Sequence, residues 1–265
     1  MSGEAVFAGK AVIITGASSG IGKATSILFA KGNASLVITG RNSVNLEETK
    51  KECLSVGLAL EQIITVVGDI CEDKIQRELV SKCVDGFGRL DILINNAGCY
   101  YIGGICETEI EVFDVLMQTN VRSMISLSKL AVPHLTKTKG CIVNVSSVTG
   151  LRPFTMSSYY GITKAAVDMF TKTLALELAP KRVRVNAVNP GVVDTAVLEH
   201  IGFKKEENKK FLNDTAPLHP IGRIGESDEI ADAIAYLASD KAGFVTGALL
   251  SIDGGLALSF GPSKQ

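Results

Sequence analysis

Short apolar runs rich in Val and Ile recur along the chain, separated by longer stretches with helical spacing of apolar and polar residues. The runs AVIIT (11–15), SLVIT (35–39), IITVV (63–67), LDILIN (90–95), CIVNVS (141–146), RVNAVN (184–189) and ALLSID (248–253) read as β-strands. They do not alternate strictly, which is the pattern of parallel strands covered on both faces. Between them the spacing predicts helices over about 72–86, 108–137, 157–179 and 226–239. A further helix starts at Ser43 as N-cap, with Glu47 and Glu48 near its first turn and Gly57 at its end. Pro133, inside the 108–137 stretch, is expected to kink or end that helix. The alternation predicts an α/β fold: one doubly wound parallel sheet of about seven strands flanked by helices, a single domain over residues 1–265. No internal repeat, low-complexity tract or linker divides it. Residues 195–222 depart from the pattern, charged in the middle and apolar at the ends. They read as a solvated surface insertion or as a lid over a substrate pocket, and long excursions of this kind favour the lid.

Composition narrows the partners. Of 265 residues 46% are hydrophobic, and 27 basic residues face 28 acidic ones, which supports a large core and argues against nucleic acid as the main partner. No apolar run approaches the roughly 18 to 20 residues of a membrane span, so no membrane insertion is expected. Cysteines 53, 71, 83, 99, 106 and 141 form no CxxC pair, and no His or Cys cluster has metal-ligand spacing. They read as reduced thiols of an intracellular protein without a metal. Glu4 and an early glycine-rich turn are wrong for a signal peptide, and the cytoplasm is the expected location. Ser263-Lys264-Gln265 resembles a peroxisomal Ser-Lys-Leu address but lacks the leucine.

The first strand runs into AVIITGASSGIGKAT. Gly16, Gly20 and Gly22 let the backbone turn tightly against a pyrophosphate, and the helix that follows offers free N–H groups and its dipole to the anion. Gly16, Ser18, Ser19, Gly20, Ile21 and Gly22 are therefore candidate cofactor residues. The spacing is G-x-x-x-G-x-G rather than the G-x-G-x-x-G fingerprint. At the end of the second strand a carboxylate would bind a ribose 2′-hydroxyl. Here VITGRNS puts Gly40 at that place, followed by Arg41. Arg41 can pair with a 2′-phosphate in fork geometry, with Ser19 and Asn42 as neutral donors, so NADP(H) is favoured over NAD(H).

With these residues in place the chain resembles the short-chain dehydrogenase/reductases, in their compact single-domain NADP(H)-dependent carbonyl reductase branch. The resemblance covers about residues 8–256 and rests on ordered motifs: TGASSGIG (15–22), GDI (68–70), NNAG (95–98), TNV (119–121), VNVSS (143–147), YGITK (160–164), NPGVVDT (189–195) and SIDGG (251–255). It implies a Rossmann fold in which Asp69, with Ile70 beside it, touches adenine, and Asn95 fixes the central strand. Asn96, Ala97 and Gly98 would line the cofactor, and Pro190, Gly191, Val193 and Thr195 would hold its nicotinamide end. It also implies a homotetramer, built partly through helices 108–137 and 157–179 and the C-terminal strand region.

The candidate chemistry is hydride transfer between a carbonyl and an alcohol, which needs a proton at the oxygen. Tyr160 and Lys164 stand one helical turn apart, and a nearby ammonium would lower the phenol toward neutrality. The resemblance implies that Lys164 also holds the nicotinamide ribose. Ser147 falls at the C-terminal end of the fifth strand, where open α/β sheets bind ligands, and can hydrogen-bond the reacting oxygen. Ser146 is the alternative; the family separates its serine and tyrosine by about 13 residues, the gap from Ser147 to Tyr160. Asn120 matches the position that connects the lysine to solvent through a water. Tyr159 pairs with Thr163 instead, and packing or pocket lining is its expected role.

Pocket candidates are Cys99, Tyr100, Tyr101 and Ile102; Leu151, Pro153, Phe154 and Met156; Val192 and Val193; and 196–215. They are largely apolar, with Arg152 the one arginine placed to clamp a carboxylate, which favours a small hydrophobic ketone or aldehyde substrate: steroid-like, aromatic or dicarbonyl. Two alternatives stand beside this one. A 3-oxoacyl-thioester reductase would dock an acidic acyl carrier protein on Lys137/Lys139 and Lys181/Arg182, though such residues also complement helix C-terminal dipoles. A non-catalytic NADPH-binding sensor would keep the fold without turnover.

Overall fold

The structure is a computed structural model and describes residues 6–195 and 202–259. Its strands are β1 (Ala11–Ile14), β2 (Ser35–Gly40), β3 (Ile63–Val67), β4 (Ile92–Asn95), β5 (Cys141–Val145), β6 (Arg184–Pro190) and β7 (Leu249–Ile252). They form one parallel sheet in the order β3-β2-β1-β4-β5-β6-β7. The pleat sends successive side chains to opposite faces. Val12, Ile14, Leu36 and Ile38 join one core beneath α1 (Gly20–Lys31), α2 (Ser43–Ser55) and α9 (Ser227–Ala238). Ala11, Ile13, Val37 and Leu93 join the other, beneath α3 (Asp73–Phe87), α5 (Ser123–Thr138) and α7 (Ser158–Leu178). Both faces are covered, which is why the strand sequences do not alternate. The strand order reverses between β1 and β4, and in such sheets the crevice outside the strands' carboxyl ends is the ligand site.

Three helix details differ from expectation. Asn42, not Ser43, caps α2: its side chain accepts from Asn45 N–H at 3.0 Å. The 108–137 stretch is not one helix. It divides into α4 (Ile110–Met117), a π-turn over Gln118–Arg122, and α5. The break lies at Asn120 and not at Pro133, because Pro133 removes one N–H while Ala131 and Leu135 on either side are anchored in the core. Helix α5 continues to Thr138, where Lys139 closes it at φ 53°. The remaining α-helices among the described residues are α6 (Val148–Leu151) and α8 (Lys205–Thr215), the latter within the 195–222 segment. Residues 196–201 of that segment, Glu4 and the terminal Ser-Lys-Gln lie outside the described residues. Among the described residues no helix is long and apolar enough to cross a membrane.

Candidate active site

The turns after β1, β4 and β6 converge at one end of the sheet. Gly16 and Gly20 adopt left-handed φ values of 66° and 50°. A Cβ on Gly16 would lie 2.8 Å from Ala97 Cα, and one on Gly22 would lie 2.2 Å from the Gly16 carbonyl oxygen. Only bare backbone fits this approach. Asn96 Nδ2 donates to the carbonyls of Thr15 (2.8 Å) and Gly16 (3.1 Å), while Thr15 Oγ1 accepts from the N–H of Asn96 and of Ala97. Helix α1 starts here without a side-chain cap on Ser19, so the N–H groups of its first turn keep their free character toward an anion. The Thr195 methyl would stand 3.0 Å from a Cβ on Gly20, which closes the 190–195 segment over the turn.

That segment is tethered from behind. Gly191 N–H donates to Ile252 O, and Val193 bridges to Gly225. Val192 N–H donates to Nε2 of buried His219 at 3.1 Å, while His219 Nδ1 faces Thr215 O at 3.1 Å. Because Nε2 accepts, the ring proton sits on Nδ1. His219 thereby joins the end of the α8 region to the turn after β6. Sequence reading passed it over, since an isolated histidine carries no spacing signal.

At the end of β2, a Cβ on Gly40 would lie 2.9 Å from Ser18 Oγ. Arg41 is exposed and enters no salt bridge among the described residues. Asn42 Oδ1 is committed to its cap, which leaves the amide nitrogen as donor. Asp69 accepts from Cys71 N–H at 2.8 Å in a local turn, beside buried Ile70. The bare glycine cradle, the uncapped helix and the unpaired arginine fit a phosphorylated dinucleotide.

Tyr160 sits in the first turns of α7. Tyr100 packs edge-on against it, with centroids 4.7 Å apart and its own hydroxyl sharing a 2.7 Å hydrogen bond with Ser157 Oγ. Ser147 N-caps α6, accepting from Thr149 N–H at 3.2 Å, and its hydroxyl lowers the pKa of the Tyr160 phenol. Ser146 points elsewhere and donates to the Lys164 carbonyl at 3.2 Å. Lys164 Nζ lies 5.4 Å from the Tyr160 ring centroid and donates to Val145 O at 2.8 Å. The electrostatics correct one expectation. Burial pushes the Tyr160 phenol up, Tyr100 adds to this, and the Ser147 hydrogen bond opposes it. Burial likewise pulls Lys164 down to about 8. One dry pocket disfavours the charged form of both groups, so the phenol is raised although the lysine stands one turn away.

Asn120 is fully buried at the π-turn, a kind of helix defect frequent at functional sites. Its side chain holds the Cys99 backbone from both sides, at 2.8 and 2.9 Å, and donates to Thr163 Oγ1 at 3.1 Å. The side chain thus braces the turn after β4 against α7 and makes no hydrogen bond to Lys164. A Cβ on Gly98 would stand 3.2 Å from Asn120 Oδ1 and 3.8 Å from Lys164 Nζ. Asn95 donates to Ser128 (3.1 Å) and Asn144 (2.9 Å), a buried tie across the central strands.

Of the apolar pocket candidates, Tyr100 packs on Tyr160, Phe154 lies against the Arg152 guanidinium, and Tyr101, Leu151 and Met156 are exposed. Tyr159 turns away, its hydroxyl on Thr108 O at 3.3 Å and its ring against Phe113. Arg152 is no free clamp: its guanidinium donates to the carbonyls of Leu256 and Ser259 and lies over Phe154. Lys137/Lys139 and Lys181/Arg182 directly precede β5 and β6, at the amino ends of the strands and opposite the site.

A parallel sheet with a glycine cradle at its reversal point and a serine, tyrosine and lysine beside it defines a dinucleotide-dependent oxidoreductase site. A family model described as enoyl-(acyl carrier protein) reductase matches residues 16–257. The 3-oxoacyl-(acyl-carrier-protein) reductase FabG of Thermotoga maritima is 37% identical, covering 94% of this chain and 98% of that protein. Meso-2,3-butanediol dehydrogenase of Serratia marcescens is 35% identical over 97% and 98%. A crystal structure of a short-chain dehydrogenase/reductase of unknown function from Caenorhabditis elegans, with cofactor, superposes at a TM-score of 0.91 with 37% identity, covering 96% of this chain and 97% of that one. The chain belongs to the short-chain dehydrogenase/reductase family, whose members carry out carbonyl/alcohol redox chemistry with a nicotinamide cofactor.

Proposed function

We propose that the protein is an NADP(H)-dependent oxidoreductase that interconverts a ketone or aldehyde and an alcohol, with Tyr160 moving the proton. The observation that carries this reading is the convergence of Ser147, Tyr160 and Lys164 at the end of the sheet that bears the glycine cradle. Gly16, Ser18, Ser19, Gly20, Ile21 and Gly22 would hold the pyrophosphate, Asp69 and Ile70 the adenine side, and Asn96, Ala97 and Gly98 the central part. Pro190, Gly191, Val193 and Thr195 would hold the nicotinamide end. Bound there, the nicotinamide gives or takes the hydride. Ser147 hydrogen-bonds the substrate oxygen, and Tyr160, kept protonated by burial, donates to that oxygen in reduction and takes the proton back in oxidation. Lys164 orients the ribose and supplies charge beneath the phenol. Arg41 selects the 2′-phosphate: Arg41→Ala should lower the preference for NADPH over NADH by about ten- to a hundredfold in kcat/KM.

The apolar pocket candidates and the engaged Arg152 support a hydrophobic or dicarbonyl substrate without a carboxylate, in keeping with the butanediol dehydrogenase relative. The FabG relative supports the second reading, a 3-oxoacyl thioester. Loss of activity on a carrier-borne thioester on charge reversal at Lys137, Lys139, Lys181 and Arg182 would support a carrier docked there. A panel of diketones, aromatic ketones, alcohols and acetoacetyl thioesters, run with NADPH and with NADH, decides between them. A Tyr160→Phe enzyme that oxidised NADPH at the wild-type rate across that panel would overturn the mechanism and leave the sensor reading standing.

A further inference from the structure

One buried carboxylate has no part in the chemistry described so far. Tyr160, Lys164 and Asp168 follow at one-turn intervals along α7 and share one of its faces. Asp168 is 4% exposed and forms no salt bridge among the described residues. Its two oxygens accept from Asn189 Nδ2 at 3.0 and 3.1 Å, and the same nitrogen donates to the Ser147 carbonyl at 3.0 Å. That carbonyl can only accept, so the orientation of the Asn189 amide is set. Gly150 makes the space: a Cβ there would lie 2.5 Å from Asp168 Oδ2.

Few charged or titratable groups face this cluster. Lys164 and Lys172 on α7 favour the ionised carboxylate, against burial that raises its pKa. Asn189 on β6 faces it with a neutral donor, and the Ser146 hydroxyl after β5 stands beside it. Lys164 itself faces Tyr160 and Asp168 on its own helix, Cys99 beyond β4 and the Val145 carbonyl on β5; burial disfavours its ammonium, and Cys99 and then Asp168 favour it. A carboxylate buried without an ion pair is costly, and a neutral residue of the same shape would avoid that cost.

We propose that Asp168 is a positioning residue of the reaction: clamped by Asn189 to the Ser147 carbonyl, it supplies the counter-charge for the Lys164 ammonium and keeps Ser147 in register with Tyr160. This deepens the reading given under Proposed function and rests on it for the reaction being served. Asp168→Asn isolates the charge. Its Oδ1 can accept from Asn189 and its Nδ2 can donate to Ser146 Oγ, so a residue needed only for packing tolerates the change.

The test follows the Lys164 ammonium by NMR in the full-length protein labelled with ε-13C-lysine, the signal being assigned through Lys164→Met. The midpoint, at about 8 in the wild type, should fall by about one to two pH units in Asp168→Asn. The alkaline limb of kcat for carbonyl reduction should move down with it, and KM for NADPH should change far less. A midpoint unmoved in Asp168→Asn overturns the inference. The reciprocal measurement serves if that variant does not fold: the Asp168 carboxylate midpoint must rise in Lys164→Met, and an unchanged value overturns the inference equally. A moved midpoint in a wild type that turns over no carbonyl sinks the oxidoreductase reading and leaves Asp168 as the counter-charge of Lys164.

Discussion

Tyr159 and Tyr160 are neighbours in sequence, yet the helix sends their side chains about 100° apart. Tyr160 faces Ser147 and Lys164, so Tyr160→Phe should reduce kcat by about 10²- to 10⁴-fold. Tyr159→Phe gives up one 3.3 Å hydrogen bond to Thr108 O and should retain activity within about tenfold. Lys164 carries a stability signature of its own. Its folded value of about 8 lies below the ordinary 10.5, so between those limits the unfolded chain binds a proton that the folded one has released. The lysine therefore destabilises the fold below about 8, and this penalty disappears as pH rises toward 10.5. Lys164→Met should be more stable than wild type by about 3 kcal/mol near neutrality, with the difference closing by about pH 10, as read by urea denaturation. The buried thiols of Cys53, Cys83 and Cys141, held above their ordinary values, act in the opposite sense in alkali, but equally in both proteins.

The strands and most helices were legible in the sequence because each is a local property: a Val/Ile run for β2, a polar–apolar period for α3. The π-turn at Asn120 was not, since it is produced by tertiary demand. Asn120 must reach Cys99 and Thr163 at once, and a regular helix would rotate it away. Asp168 was visible in principle, standing four residues after Lys164, but the motif that drew the eye stopped at the lysine. The link from His219 to Val192 joins elements 27 residues apart and leaves no periodic trace. His219→Ala should strand the Val192 N–H and loosen the turn after β6. KM for NADP(H) should then rise by about three- to tenfold while kcat changes less, as steady-state kinetics would show.

Over the whole molecule, one end of the sheet gathers the chemistry and the lateral helices carry apolar side chains into solvent. Val115, Met169 and Leu176 on α4 and α7, with Phe244 and Leu258 near the C-terminus, are largely exposed. These lie on the same segments through which the family resemblance implies a tetramer. Light scattering should give four chains for the wild type, and Leu176→Glu should give a smaller species. The hold of Arg152 on the carbonyls of Leu256 and Ser259 has a consequence in time as well as space. Those carbonyls lie 104 and 107 residues further along the chain. During synthesis Ser147, Tyr160 and Lys164 leave the ribosome long before them, and the loop bearing Phe154 lacks this tether, though not its bridge to Gly103, until they follow. The apolar loop proposed to sort substrates is secured after the groups proposed to act on them, and shortening the chain to residue 255 should blur the choice of substrate before it slows turnover.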